Sequence, residues 1–403
     1  MPKPFSALSA LFFGAALLCA PAYAQLTREA QALQEFGKEL DYAATAPDFV
    51  GLAVAVVKDG RVAMLKTYGV RAEGSPEKVT PDTVFRLASL SKGFAGTLAA
   101  MEEKEGKLDF HDKVISVVPN FRLRKPADTS AVTLETILTH SVGLPPYAFD
   151  NLLEAGQAPL DILSKYATVR PTCAPGECFT YQNITFNIIA AAIERVAGKT
   201  YEQELHARLL DPLGMTETTL GLAGLKSSGN WARPHKRAGA GWVPTDVKQA
   251  YYNVPAAGGV NSSISDMTKW LIAQMGERPD VINHDVLGEA HKKRIQTPSE
   301  SSRQRALRTP VTGTWYGLGW RTYTYAGHEL ITHSGGVEGY LTQIAWLPKE
   351  RAGIVVLANS RGSRGGKIVP AWLDYELGLP KTDWFRMEEI AAATAALATE
   401  SGE

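Results

Sequence analysis

Apolar positions recur every three or four residues over 26–42, where Leu26, Ala30, Leu33, Phe36 and Leu40 share one stripe; this spacing predicts a helix. The period then shortens. Residues 49–58 and 62–68 are dense in apolar side chains, and Asp59-Gly60 between them is the dipeptide that closes a tight hairpin. Residues 80–86 lead into Ser89, after which Phe94, Leu98 and Met101 continue a helical face up to Gly106. From there to about 310 the pattern reads as helices and long loops. The clearest helix covers 184–196, with Gly198 in the stop position, and another covers 266–275. Strand character returns at 317–325, 329–333, 340–346 and 352–357, short apolar or aromatic runs parted by Gly, Pro or charged turns. They suit an antiparallel sheet, closed by a helix at 368–377. The order is sheet, long helical insert, sheet, so strands from both ends must meet for one core to close. Residues 383–403, rich in alanine and acids, read as a terminal helix or frayed tail.

Composition adds bounds to this picture. At 403 residues, 45% hydrophobic and 21% charged, the chain exceeds what one core usually serves, and general disorder is excluded. Lys+Arg 42 against Asp+Glu 42 speaks against a protein built to grip nucleic acid. The first 24 residues stand apart: Lys3, an apolar stretch over 7–20, then Ala22-Tyr23-Ala24. This is the pattern of a secretory signal cleaved between Ala24 and Gln25, and the apolar run is short for a membrane span. A periplasmic or secreted chain with no stable membrane span is therefore expected. Cys19 follows a bulky Leu18, which argues against lipid attachment. Cleavage leaves Cys173 and Cys178 around Pro175-Gly176; in an oxidising compartment they can close a small loop, the alternative being two free thiols. No other metal-binding residues cluster near the pair, and neither a metal nor a cofactor is expected.

Ser89-Leu90-Ser91-Lys92 stands at the start of a predicted helix, where residues three apart share a face. A hydroxyl needs a proton acceptor to attack, and a lysine desolvated among apolar residues can serve. The spacing alone is a weak signal, since a serine cap followed by a solvated lysine looks the same. Further along, Tyr181-Gln182-Asn183 precedes the clearest helix, and Ile331-Thr332-His333-Ser334-Gly335-Gly336 ends a strand.

Together these segments resemble the serine β-lactamase and penicillin-binding-protein superfamily, and most of all class C β-lactamases with their carboxypeptidase and esterase relatives. Phe85-Arg86-Leu87-Ala88-Ser89-Leu90-Ser91-Lys92 resembles the nucleophile segment, and Leu138-Thr139-His140-Ser141-Val142-Gly143-Leu144-Pro145 a conserved loop. Tyr181-Gln182-Asn183, Ala257-Gly258-Gly259-Val260, Tyr316-Gly317-Leu318-Gly319-Trp320 and His333-Ser334-Gly335 follow in the family's order, so residues 30 to 378 are covered. The resemblance implies an α+β fold, an α/β sandwich with an antiparallel sheet flanked by helices and a large all-helical insertion. The expected division is a signal at 1–24, a sheet domain from 25–86 and 312–380, a helical domain over 87–311, and a tail at 381–403.

The resemblance also implies roles. Ser89 would form an acyl-enzyme while Lys92 and Tyr181 share the proton, and Asn183 would hold Lys92 and a substrate amide. The backbone N–H groups of Ser89 and Gly336 would hold the oxyanion, with Ser334 and Gly335 beside the substrate. Class C enzymes carry lysine where this chain has His333, a ring mostly neutral at pH 7, so His333 either joins catalysis or only orients its neighbours. Arg361 is the candidate to supply the missing cation to a substrate carboxylate, against a plain reading as surface charge beside Arg364 and Lys367. His140 reads as scaffold. Trp231, Trp242, Tyr251 and Tyr252 are pocket-wall candidates, though scattered aromatics are commonly packing.

The implied substrates are β-lactams or D-amino-acid peptides. An esterase, or a module that binds peptidoglycan without turnover, are the competing expectations.

Overall fold

The computed structural model describes residues 16–239 and 241–392, with side chains from residue 28. Most of the expected signal and the end of the expected tail lie outside them; residues 16–24 continue the first helix.

In chain order the main elements are helix α1 (Ala16–Ala43), strands β1 (Gly51–Lys58) and β2 (Arg61–Gly69), then helices α2 (Ser91–Lys104), α3 (Ile188–Ala197), α4 (Ile264–Gln274) and α5 (His284–His291). Strand β3 (Ile295–Gln296) and helix α6 (Pro298–Ala306) lead into β4 (Val311–Tyr316), β5 (Arg321–Tyr325), β6 (His328–Val337), β7 (Tyr340–Leu347) and β8 (Ala352–Ala358). Helix α7 (Ile368–Glu376) follows.

One eight-stranded antiparallel sheet runs β2-β1-β8-β7-β6-β5-β4-β3. The two ends of the chain meet at β1 and β8, where Leu52 faces Ala358 and Lys58 faces Ala352. Asp59 and Gly60 at the β1–β2 turn have φ of 50° and 72°, the left-handed pair that a tight hairpin of this twist requires.

The unbroken apolar run of β1 is explained by cover on both faces. Leu52, Val54 and Val56 pack with Phe36 and Leu40 of α1 and Trp372 of α7, whereas Ala53, Ala55 and Val57 belong to the larger core with α2 and α4. In that core Phe94 of α2 stacks on Trp270 of α4 with centroids 4.0 Å apart. The architecture is a mixed α/β fold, an antiparallel sheet flanked by helices, with a long and mainly helical insertion between β2 and β3.

Several boundaries differ from the sequence pattern. The run 317–325 divides into the end of a link and β5, because Gly319 sits at φ 77° with α2 so close that a Cβ there would lie 2.1 Å from the Lys92 carbonyl. Helix α3 starts at Ile188 rather than 184, since Asn183 to Asn187 form a turn that presents the Tyr181 segment to the sheet. The insertion also holds short strands, among them Phe85–Arg86 paired with Val260–Ser262, too brief to leave a pattern.

Candidate active site

Ser89 lies in a 3-10 turn, Ala88–Leu90, that enters α2 without a break. Ala88 holds φ at 50°, a conformation that alanine adopts only under constraint from its surroundings. The constraint is visible: Ser91 Oγ donates to the Ala88 carbonyl at 2.7 Å and accepts from Val260 N at 3.0 Å, and Thr342 Oγ1 donates to the Leu87 carbonyl at 2.8 Å. His140 and Tyr147, which pack against Tyr181, also have positive φ.

Lys92 points back to Ser89 from the first turn of α2 and is fully buried. Its ammonium donates to Asn183 Oδ1 at 2.8 Å and to the Ala257 carbonyl at 2.9 Å, and reaches Ser89 Oγ at 3.5 Å. Burial lowers its pKa to about 7; Asp150 opposes the shift and Arg321 adds to it. Asn183 is itself held by Asp150, whose Oδ2 accepts from Nδ2 at 2.7 Å. Burial raises the Asp150 pKa above the ordinary carboxyl range. Tyr181 is buried as well, with Lys92 Nζ 4.8 Å from its ring centre. Burial pushes its phenol up, while a hydrogen bond with Ser89 and the charge of Arg321 pull it down.

His333 belongs to a hydrogen-bonded chain that runs through Tyr316 to a second buried histidine. Gln182 N–H donates to His140 Nδ1 at 3.1 Å, so the proton of that ring is on Nε2, which meets Tyr316 Oη at 3.1 Å. Tyr316 then gives its own proton to His333 Nε2 at 3.1 Å, and His333 Nδ1–H meets the Ser334 carbonyl at 3.0 Å. Each donor has one acceptor. Both rings are neutral in this arrangement, and burial, the leading cause, lowers both well below the ordinary histidine range.

β6 carries the opposite wall. A Cβ on Gly335 would sit 2.2 Å from Leu87 O and 3.1 Å from Ser89 N, so the strand passes Ser89 at a distance only glycine allows. Gly336 is covered by Arg361, whose Cζ would be 3.3 Å from a Cβ at that position. Arg364, by contrast, is tied to Asp48 at 2.8 Å and the Phe385 carbonyl at 2.6 Å, and Lys367 lies 5.4 Å from the Trp384 ring centre. Ser89, Tyr181, Asn183, His333, Ser334, Gly335, Gly336 and Arg361 thus line a single cavity of about 670 Å³. Tyr251 lines it too, its hydroxyl 2.7 Å from Glu154. Tyr252 is buried under Arg86 instead, and Trp242 donates to the Pro47 carbonyl away from the cavity.

Cys173 and Cys178 form a disulfide. The loop it closes is stitched to the His140 segment: Thr172 N donates to the Gly143 carbonyl and Gly176 N to the Ser141 carbonyl, both at 2.7 Å. Thr180 N then donates to the His140 carbonyl at 2.7 Å, which sets Tyr181 in place.

Sequence reasoning missed Asp150, the Tyr316 hydroxyl as the centre of the histidine chain, and Arg321. Tyr316 was visible inside a family segment; Asp150 and Arg321 carry no local signal. Among the described residues no helix is long and apolar enough to cross a membrane.

The chain is similar to the unguisins hydrolase ungD' of Aspergillus campestris, 28% identical over 84% of this chain and 65% of the relative. It is also similar to protein flp of Staphylococcus aureus strain N315, 25% identical over 86% of this chain and 66% of that protein. The chain thus spans about 65% of the length of the curated relatives it matches. Among solved structures, the octameric penicillin-binding protein homologue from Pyrococcus abyssi superposes with a TM-score of 0.75 at 25% identity, covering 86% of this chain and 77% of that one. The sequence model of the beta-lactamase family matches residues 30–377, and the chain belongs to that family, within the serine β-lactamase and penicillin-binding-protein superfamily.

Proposed function

We propose that this chain is an exported serine hydrolase that works by acyl transfer, with Ser89 as nucleophile. The observation that carries the reading is Lys92: a buried amine with a pKa near 7, held by Asn183 and Ala257 and aimed at Ser89 Oγ. Such an amine can accept a proton at neutral pH, which a solvated lysine cannot. Ser89 Oγ attacks the substrate carbonyl as its proton passes to the Tyr181–Lys92 pair. The developing oxyanion lies between the backbone N–H groups of Ser89 and Gly336. The same pair returns the proton to the leaving group, and water then releases the acyl group from Ser89.

The substrates proposed are small amides of the β-lactam or D-amino-acid-peptide type. In this reading Arg361, which sits against Gly336 in the cavity lining, takes the substrate carboxylate, with Ser334 and Gly335 beside the substrate. The likeness to a penicillin-binding protein homologue and to enzymes named hydrolases supports this class. His333 orients its neighbours and carries no charge to substrate, which weighs against an efficient class C-like β-lactamase.

The same neutrality favours a second reading, an esterase, for which no anchoring charge is needed. One panel separates them. Fluorescent penicillin that labels Ser89 and leaves slowly marks a peptidase-type enzyme, and fast release a β-lactamase. Turnover of a short-chain nitrophenyl ester without penicillin labelling marks an esterase. Neither labelling nor turnover by the wild type, with Ser89→Ala identical to it, would reject the catalytic reading in favour of a binding module.

A further inference from the structure

Tyr181 and Lys92 must together be one proton short before Ser89 can be activated, and burial works against that state at the phenol. The groups facing Tyr181 come from every side. They are Ser89 on the 3-10 turn, Lys92 on α2, His140 in its loop, Tyr147 and Asp150 across the cavity, Tyr316 on β4, His333 on β6 and Arg321 on β5. Asp150 repels a phenolate. The two histidines are locked neutral by the one-way chain through Tyr316, since neither ring has a nitrogen left to charge without losing a bond. The permanent cation in this set is Arg321.

Arg321 opposes Thr332 in the β5–β6 register, one residue from His333. Its Cζ lies 5.7 Å from the Tyr181 ring centre, 5.7 Å from Phe179 and 5.4 Å from Tyr316. Its Nη1 is 3.6 Å from Glu300 Oε2 on α6, and makes no hydrogen bond although it is buried. Glu300 is held in turn by Gln304 Nε2 at 3.0 Å, with Tyr323 and Arg303 also near. The cation is thus placed by packing among rings and only loosely paired.

We propose that Arg321 is the positioning residue for proton transfer in this site: its fixed charge beside Tyr181 favours the proton-deficient Tyr181–Lys92 pair, and Glu300 tempers that charge. The inference rests on the Ser89 reading above, but its test does not depend on that reading alone. The fields on Lys92, His140 and His333 run in the same direction, each favouring the neutral form.

The test is the pH dependence of Ser89 labelling by a fluorophosphonate probe, alongside the titration midpoint of Lys92 followed by NMR of 13C-lysine protein, which needs no turnover. In Arg321→Gln the acidic limb of labelling and the Lys92 midpoint move up by about one pH unit. In Arg321→Lys both stay where the wild type has them, and in Glu300→Gln both move down. If Arg321→Gln fails to fold, the Arg321→Lys and Glu300→Gln pair still decides the matter. Unshifted limbs and midpoints, or shifts of the same sign in Arg321→Gln and Glu300→Gln, overturn the proposal. So does a rise in KM for an anionic substrate with no shift in either, which makes Arg321 a carboxylate anchor. Wild type unlabelled at every pH rejects Ser89 as nucleophile, while the Lys92 midpoint still judges Arg321.

Discussion

A lysine stripped of water holds its proton weakly, and three acceptors around Lys92 determine where that proton goes. This residue was legible in the sequence because Ser89 and Lys92 are three apart at a helix start, a local relation. What Lys92 does is not local: its acceptors Asn183 and Ala257 lie 91 and 165 residues away. Charge follows the same division. The sequence shows that His333 stands where a lysine is usual, but what keeps it neutral is burial, aided by the charges of Arg321 and Lys92, with Tyr316 donating to its Nε2. Arg361 is then the exposed cation at the strand end. Arg361→Gln is expected to raise KM about tenfold for a substrate bearing a carboxylate while leaving a neutral ester nearly untouched. Steady-state kinetics on the two substrates checks this, and equal changes would remove Arg361 from substrate recognition.

The elements that form the site meet through close approaches. β6 can run past the 3-10 turn only because residue 335 has no side chain. Gly335→Ala would push a methyl group into Leu87 O and Thr342 Oγ1, displacing Ser89 from its place. Acylation by a serine probe is expected to fall about 100-fold, with urea unfolding still cooperative. Wild-type labelling in that variant would mean that the strand sits further from the turn. The disulfide acts on the neighbouring segment. Replacing Cys173 and Cys178 together by serine is expected to cost about 2 kcal/mol, from the short loop released, and to slow acylation, because Tyr181 follows that loop directly. Urea denaturation and probe labelling measure the two effects. Hairpins and long helices showed in the sequence through their periods, as at Asp59-Gly60 and in α4. The link 317–320 did not, because Gly317 answers to the end of α5 and Gly319 to α2 across the core rather than to a strand.

At the scale of the whole molecule, the sheet divides two cores, and buried neutral histidines lie on the insertion side. His140 and His333 hold the chain beside Tyr316. His291, whose pKa burial lowers to about 3, packs between Trp320 and Trp346 with Nε2 2.8 Å from Gln274. In each case the folded pKa lies below the unfolded value near 6.5. Below that pH the unfolded chain takes up protons that the folded rings refuse, so stability falls as pH falls. These three rings alone give a slope approaching about 4 kcal/mol per pH unit between pH 6.5 and 5, and His235, also lowered by burial, adds to it. The raised carboxyls of Asp150, Glu338 and Asp374 oppose this, since in the folded chain they take up protons above the unfolded carboxyl range. Urea midpoints across this window test the slope; a flat profile would show that the rings accept charge in place.

The sequence by itself determined the order of elements, the turn residues, the spacing of Ser89 and Lys92 and the family those segments belong to. All of these are written within short stretches of chain. Only the tertiary structure decided which groups surround Ser89 and in what charge state: a neutral His333, a loosely paired Arg321, and Asp150 behind Asn183. Electrostatic effects depend on burial and on distances of a few ångströms between residues far apart in the chain, and no pattern along the sequence encodes those distances.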